Sequence, residues 1–165
     1  MSSLASKPAV GFTQYSTPTD TQIMAVRVVE APARLVFETY TQPRHLQKWL
    51  LGPEGWTMPV CEIDPRVGGK WRYVWRKNDG SEMTMGGEIR EVVQNKRLVS
   101  TERWGPEWPE TINAIDFAES GGQTTITLTM TYPSKEARDA ALKTGMKDGM
   151  EATYARLDQL LKTLA

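Results

Sequence analysis

The chain of 165 residues is long enough for one hydrophobic core and short for two, so the sequence predicts a single main domain. Twenty basic residues balance twenty acidic ones without a run of like charge, which disfavours nucleic acid and anionic membranes as partners. One cysteine, Cys61, and one histidine, His45, exclude a disulfide framework and are too few for a zinc or iron site, so no metal is expected.

The first 22 residues are rich in Ser, Thr and Pro and contain no apolar run long enough for a signal peptide. We expect residues 1–22 to form a flexible N-terminal arm and residues 23–165 to form the folded domain. The alternative for part of this arm is that Phe12–Tyr15 adds to a sheet edge or to a neighbouring subunit. No stretch is apolar enough to span a membrane, and the expected compartment is the cytoplasm.

Two short helices are predicted after the first strand. Ile23–Glu30 alternates and is rich in valine, which predicts a strand. Pro32 begins a helix, where its missing N–H costs little, and a second short helix follows Pro43 and ends at Gly52 and Pro53. Both segments carry apolar side chains at helical spacing.

From Thr57 to Tyr132 short β-rich runs alternate with turn signals, which predicts a meander of about six antiparallel strands. Ser134 is the expected N-cap of one final helix, whose apolar stripe runs from Met146 to Leu164. Because helices and strands are segregated along the chain, the predicted fold class is α+β. We expect a curved antiparallel sheet of about seven strands, with the long C-terminal helix covering one face and a hollow between them.

Aromatic and basic residues alternate over Lys70–Arg76. Side chains of a strand point to opposite faces in turn, so Trp71, Tyr73 and Trp75 share one face, which we expect to lie toward the helix. The same alternation occurs on nucleic-acid platforms, but the neutral net charge disfavours that interpretation. With six tryptophans and eight methionines in the chain, the aromatic face either fills a core or lines a pocket.

Glu102 alternates in phase with Leu98, Ser100 and Trp104, which predicts an inward-pointing carboxyl group. Burial raises the pKa of a carboxyl group, which is how general acids and bases arise. The alternative is a carboxylate at a strand end that meets a neighbouring arginine. Asn113 is a second inward polar group by the same argument, and it either orients a ligand or bonds only to the next strand or to water.

The predicted ligand-binding positions combine the aromatic face, these polar groups and methionines of the sheet and the final helix. They are Trp49, Trp71, Tyr73, Trp75, Met85, Glu102, Trp104, Asn113, Met146 and Met150. The loop Gly105–Pro109 carries its own tryptophan and forms either a lid for this pocket or a seal for the core edge. Glu102 is the best catalytic candidate, and the absence of a glycine-rich phosphate loop predicts no nucleotide cofactor.

Several short segments between Ile23 and Ala165 are shared with a known family. They are Glu30-Ala31-Pro32 before Val36-Phe37, Gln42-Pro43 to Trp49, Asp64 to Tyr73, Gly80 with Gly87, Arg97-Leu98-Val99 and Gly145-Met146. Through them the sequence resembles the START-like superfamily, also called SRPBCC. Within it, the sequence is similar to the bacterial homologues of the C-terminal domain of the activator of the ninety-kilodalton heat-shock protein ATPase. The resemblance implies a helix-grip fold with an internal hydrophobic cavity, and it implies no catalytic residues.

The leading functional hypothesis is binding of a small lipid-like or aromatic molecule in that cavity. Relatives similar in fold include carriers, cyclases and dehydratases, and chaperone activators. The alternatives are therefore a cyclase, dehydratase or hydrolase that uses Glu102, and a protein-interaction domain that uses Arg72 and Arg76 on the outer sheet face. The eukaryotic activator has a further N-terminal domain that this sequence does not contain, which favours a small ligand over a chaperone partner. A homodimer is the default expectation among oligomers.

Overall fold

The structure, a computed structural model, describes residues 7–164, which form eight strands and four helices. The strands are β1 (Thr13–Ser16), β2 (Gln22–Val29), β3 (Trp56–Ile63), β4 (Lys70–Lys77), β5 (Glu82–Val93), β6 (Arg97–Glu102), β7 (Thr111–Ser120) and β8 (Gln123–Thr131). The helices are α1 (Ala33–Thr41), α2 (Pro43–Trp49), α3 (Lys135–Leu142) and α4 (Met146–Leu164).

The strands form one antiparallel sheet in the order β1-β2-β8-β7-β6-β5-β4-β3. The six strands β3 to β8 follow one another as the predicted meander, and β2 then pairs with β8, so that Ile23 faces Met130 and Val29 faces Thr124. The curved sheet and the long C-terminal helix confirm the predicted α+β, helix-grip architecture. The sheet has one strand more than the sequence predicted.

The additional strand is β1, which lies within the segment predicted as a flexible arm. Thr13 pairs with Arg27 of β2, and the Tyr15 hydroxyl donates to Glu151 of α4 at 3.0 Å. A four-residue strand is too short to show a clear alternation in the sequence. It is held in place by these contacts with distant elements, which the sequence does not reveal. In this part of the arm the chain adds a strand to the sheet edge, which was the alternative prediction. Residues 1–6 of the predicted arm lie outside the described residues.

The C-terminal region contains two helices where the sequence predicted one. The side-chain oxygen of Ser134 caps α3 as expected, since it accepts a hydrogen bond from the backbone N–H of Ala137 at 3.0 Å. Helix α3 ends at Leu142 and α4 begins at Met146, after a turn that contains Gly145. Glycine inside a helix costs about 1 kcal/mol relative to alanine, which favours a break at this point.

Helices α1, α2 and α4 close one end of the space above the sheet. Val36 of α1, Trp49 of α2 and Leu157 of α4 are buried against Phe117 of β7 and Ile126 of β8. The core at this end leaves little exposed surface on any of these side chains.

The outer face of the sheet carries cross-strand ion pairs. Arg76 lies 2.7 Å from Glu82, and Arg72 lies 4.0 Å from Glu62. The two arginines that the sequence offered to a protein partner therefore already face acidic neighbours. Exposed pairs of this kind each stabilise the fold by at most about 1 kcal/mol.

Candidate ligand-binding site

A row of aromatic rings lines the inner face of β4. Trp71, Tyr73 and Trp75 are 6%, 6% and 5% exposed, and the arginines between and after them lie on the outside, as the alternation predicted. Ring centroids are 4.8 Å apart for Trp71 and Tyr73 and 5.8 Å apart for Tyr73 and Trp75. Trp104, just after β6, stacks on Trp75 with an interplanar angle of 12° and remains 38% exposed. The row thus runs from the interior to a partly exposed ring.

Gly87 makes room for the first ring of this row. It lies opposite Trp71 on β5, and a Cβ atom there would lie 1.9 Å from the carbonyl oxygen of Thr101 and 2.9 Å from Trp71 Nε1. Only glycine fits at such distances. The Trp71 indole donates to that same carbonyl oxygen at 3.2 Å, so Gly87 lets the ring reach its hydrogen-bond acceptor.

Glu102 ends β6 and interacts with two side chains of the inner face. Its Oε2 accepts a hydrogen bond from Asn113 Nδ2 at 2.7 Å, and its Oε1 accepts one from Trp104 Nε1 at 2.9 Å. Among residues 7–164 no arginine or lysine forms an ion pair with this carboxyl group. Glu102 does lie at a strand end, but its partners are an amide and an indole rather than an arginine.

Burial changes the proton affinity of this cluster. It raises the pKa of Glu102 from 4.5 to about 7, although the hydrogen bonds from Trp104 and Asn113 act in the opposite direction. Burial, with a smaller effect of the Glu102 charge, raises the pKa of Tyr132 to about 12. Burial also raises the pKa of Tyr73, with further contributions from Cys61 and Glu102. A carboxyl group with a pKa near 7 holds and releases a proton at neutral pH, as acid–base chemistry requires.

The side-chain oxygen of Asn113 has no hydrogen-bond partner among the described residues. Asn113 is only 8% exposed, and it lies between Ser100 of β6 and Met130 of β8 in the sheet register. A buried acceptor without a partner destabilises the fold by about 1–3 kcal/mol, and native structures rarely leave such an acceptor without a hydrogen bond. Asn113 Oδ1 is therefore an unfilled acceptor beside Glu102.

The apolar surface next to this pair is not fully covered. Ile115 and Leu128 face each other on the central strands β7 and β8, and both point inward, yet each is only half-buried. Neighbouring strands flank them on both sides, so their exposed surface opens into the space between the sheet and the helices. Met150 of α4, which packs against the same core, is also half-buried.

Two depressions elsewhere on the molecule do not include this pair. One, of about 780 Å³, lies between the start of α1 and β7, where Glu119 accepts a hydrogen bond from the Ala33 backbone N–H at 2.8 Å. The other, of about 260 Å³, lies where residues 7–10 cross β2 and β8. Neither is lined by the aromatic row or by Glu102 and Asn113.

Trp49 stands apart from the other predicted site residues. It is 2% exposed, its ring lies 4.8 Å from that of Tyr40, and its indole N–H donates to the carbonyl oxygen of Thr39 at 2.7 Å. Its polar atom is therefore already satisfied by the protein. The structure places Trp49 in the closed core beneath α1 rather than in the aromatic row.

The predicted methionines lie at different depths. Met85 is 7% exposed and faces Tyr73 across β4 and β5, whereas Met146 and Met150 begin α4 and are half-buried. Trp108, in the loop proposed as a lid, is 48% exposed, and its carbonyl oxygen accepts a hydrogen bond from Arg103 at 3.0 Å. That these side chains contact a ligand stays a prediction.

Sequence reasoning missed Tyr132 and Arg27. Tyr132 lies two residues after Met130, so extending the alternation beyond the strand end would have found it. Arg27 is 3% exposed on the inner side of β2 and donates to Asp158 at 2.6 Å and to Thr13 at 2.8 Å. Because β2 has apolar residues on both faces, its sequence did not indicate which face would be buried. It therefore did not indicate that Arg27 would be buried.

The other reactive side chains do not form a second site. Burial raises the pKa of the Cys61 thiol to about 11, which keeps it protonated and weakly nucleophilic. His45 is 5% exposed, and burial, followed by the nearby charges of Arg44 and Lys48, lowers its pKa. Within residues 7–164 no group of three His, Cys, Asp or Glu side chains is placed to hold a metal ion. No helix in that range is long and apolar enough to cross a bilayer.

A comparison with protein-family models gives a match over most of the domain. Residues 30–162 match the model described as Activator of Hsp90 ATPase homolog 1-like protein. The chain belongs to this family. Its expected place in the START-like superfamily is thereby confirmed. No curated protein matches the sequence.

Solved structures of bacterial proteins share the fold of this family member along nearly the whole chain. A protein from Rhodobacter sphaeroides is 27% identical with a TM-score of 0.87, and the match covers 93% of this chain and 100% of that one. A protein from Nitrosomonas europaea is 26% identical with a TM-score of 0.79, covering 89% and 97%. A protein from Mycobacterium smegmatis is 26% identical with a TM-score of 0.80, covering 90% and 96%.

Proposed function

We propose that the protein binds a small, largely apolar molecule between the inner face of the sheet and helix α4. The observation that carries this proposal is Asn113 Oδ1, a buried acceptor without a partner that lies beside partly uncovered apolar surface. Proteins of this fold typically hold ligands in a cavity, which supports the same interpretation.

The apolar part of the site supplies the affinity. Ile115, Leu128 and Met150 retain exposed surface in the interior, and Trp104 adds a partly exposed ring. Removing about 200 Å² of apolar surface from water stabilises a complex by about 5 kcal/mol. Part of that gain offsets the entropy that the ligand loses on binding, so a micromolar complex also needs well-placed polar contacts.

The interior location is tested with a filling variant and a matched control. Leu128→Trp adds an indole to the space above the sheet, whereas Thr127→Trp adds the same ring to the outer face of the same strand. We expect N-phenyl-1-naphthylamine, a neutral apolar dye, to gain fluorescence with the wild type and with Thr127→Trp. Leu128→Trp should weaken dye binding at least about tenfold while circular dichroism shows an intact fold. Equal binding by all three proteins would show that the dye binds outside the space above the sheet, contrary to the proposed location.

The natural occupant is sought by native mass spectrometry of protein purified from its own host. We expect a stoichiometric added mass that denaturation releases and that Leu128→Trp no longer carries. An empty wild type that also fails to bind the dye would overturn the proposal, because both the natural and the artificial occupant would then be absent.

A second candidate function is proton transfer on the bound molecule, with Glu102 as acid and base. It is favoured by the pKa of Glu102 near 7 and by the neighbouring Tyr73 and Tyr132. In this reaction Glu102 removes a proton from a carbon atom of the ligand and returns one that has exchanged with solvent. The test is incubation of the loaded protein in D₂O: the wild type would introduce deuterium at carbon, and Glu102→Gln would not. If the wild type leaves the ligand unlabelled, proton transfer is refuted and ligand binding remains the proposed function.

A further inference from the structure

The indole and amide N–H donors around the site are already committed to protein acceptors. The three indole N–H groups of the aromatic row donate to the carbonyl oxygen of Thr101, to that of Leu50 and to Glu102. Asn113 Nδ2 donates to the other oxygen of Glu102 at 2.7 Å. Above the pKa of Glu102 the carboxylate only accepts hydrogen bonds, so the amide then turns its nitrogen toward Glu102 and its oxygen away from it. Among the fully buried side-chain nitrogen and oxygen atoms of this cluster, the one that has no partner in the described residues is an acceptor, Asn113 Oδ1.

The charge around the site points to the same ligand chemistry. Glu102 has no cationic partner in the described part of the chain, and no nearby cation contributes to its proton affinity. A ligand carboxylate placed here would meet a second negative charge without a counterion. Taking such an anion out of water costs several kcal/mol unless it is paired. The site therefore disfavours acids and accepts neutral groups that donate a hydrogen bond.

The aromatic row beside the site favours a ligand with a flat ring. Tyr73, Trp75 and Trp104 form consecutive aromatic contacts with ring centroids 5.8 Å apart in each pair. Trp104 is fixed at one end by its hydrogen bond to Glu102, while part of its ring remains exposed. A planar ligand can lie against the exposed part of the Trp104 ring, and offset or edge-on aromatic contacts add about 0.5–1.5 kcal/mol beyond burial alone.

We infer that the ligand is a neutral, planar aromatic molecule whose O–H or N–H group donates a hydrogen bond to Asn113 Oδ1 beside Glu102. This inference rests on the proposed function, because it names the class of molecule that occupies the same interior. Phenols and aryl amines share this chemistry. Aryl carboxylates and fully capped aryl ethers do not.

The experiment compares four naphthalenes of nearly equal size as competitors of N-phenyl-1-naphthylamine at about pH 8. The competitors are 2-naphthol, 2-naphthylamine, 2-methoxynaphthalene and 2-naphthoate. The methoxy compound keeps the ring and the oxygen of 2-naphthol but has no donor, so it isolates the hydrogen bond. We expect the naphthol or the amine to bind about 10- to 100-fold more tightly than the ether, as a hydrogen bond to a buried unfilled acceptor would give. The carboxylate should bind most weakly, and the preferred donor distinguishes phenols from amines.

Asn113→Leu removes the acceptor while keeping a side chain of similar size. We expect it to bring 2-naphthol and 2-methoxynaphthalene to equal affinity, and the wild-type comparison remains decisive if this variant does not fold. Equal binding of the naphthol, the amine and the ether by the wild type, or tightest binding of the carboxylate, would overturn this inference while leaving the proposed interior site in place. Failure of the wild type to bind the dye would instead count against the proposed function itself.

Discussion

The titration of Glu102 links the geometry of the site to a measurable pH dependence of stability. Burial raises the pKa of this carboxyl group from 4.5 in the unfolded chain to about 7 in the folded one. At about 1.4 kcal/mol per pH unit, ionised Glu102 therefore destabilises the folded state by about 3 kcal/mol relative to protonated Glu102. Its contribution to stability is fully present below the unfolded pKa and is lost as pH rises through the folded pKa.

The perturbation is Glu102→Gln, which cannot ionise. We expect the free energy of unfolding of the wild type, minus that of Glu102→Gln, to fall by about 3 kcal/mol between about pH 4 and about pH 8.5. The assay is urea unfolding followed by tryptophan fluorescence at intervals of half a pH unit. Glu107→Gln, an exposed change in the adjacent loop, is the matched control and should follow the wild type throughout.

A difference that stays constant within about 0.5 kcal/mol over that range would refute the reasoning, because Glu102 would then titrate alike in both states. Carbon-13 NMR of the Glu102 carboxyl group gives an independent check. Its chemical shift should change near pH 7 rather than near pH 4.5. Asn113→Leu should move this midpoint upward, since it removes a donor that stabilises the ionised form.

Three further perturbations test the surroundings of the site. Gly87→Ala should destabilise by about 3 kcal/mol in urea, because its Cβ would collide with a backbone oxygen of the next strand, whereas Gly145→Ala, which meets nothing within 4 Å, should cost little. The lowered pKa of His45 favours its neutral form in the folded state, so the wild type should lose stability as pH falls below about 6.5. His45→Phe should not show this loss. An unchanged acid limb would contradict that assignment. Asp158→Asn removes the negative charge that lies 2.6 Å from the buried guanidinium of Arg27 and leaves Glu151, at 3.7 Å, as its acidic neighbour, so it should lower the thermal midpoint at a cost of about 2 kcal/mol.

The alternation of residues predicted which faces of the strands are buried, but not which side chains meet across them. The aromatic side of β4 and the inward phase of Glu102 and Asn113 follow from a period of two. Their hydrogen bond depends on the register between β6 and β7, where Ser100 faces Asn113 and Glu102 faces Thr111. A shift of one residue in that register would have separated them, and a single sequence contains no direct signal for it.

Features held by distant contacts were the ones that the sequence did not predict. Strand β1 is only four residues long, and its Tyr15 bonds to Glu151 on the last helix. The break before α4 lies at residues 143–145, ahead of the apolar stripe that begins at Met146, so the stripe contained no signal for it. Trp49 was predicted among the ligand-binding positions, and its burial against Tyr40 is a contact that the sequence did not indicate.

The pairing of β2 with β8 sets the order in which a ribosome-bound chain can complete this fold. Residues 22–29 leave the ribosome early, but their hydrogen-bonding partners are residues 124–131, so one edge of β2 stays open while about a hundred residues are synthesised. Helix α4, which covers the inner face, is made last of all. Pairings between such distant segments form slowly and leave unpaired strands exposed to aggregation. The nascent chain should therefore be at its most aggregation-prone just before β8 emerges, and a stalled chain that ends near residue 120 should depend most on holding chaperones.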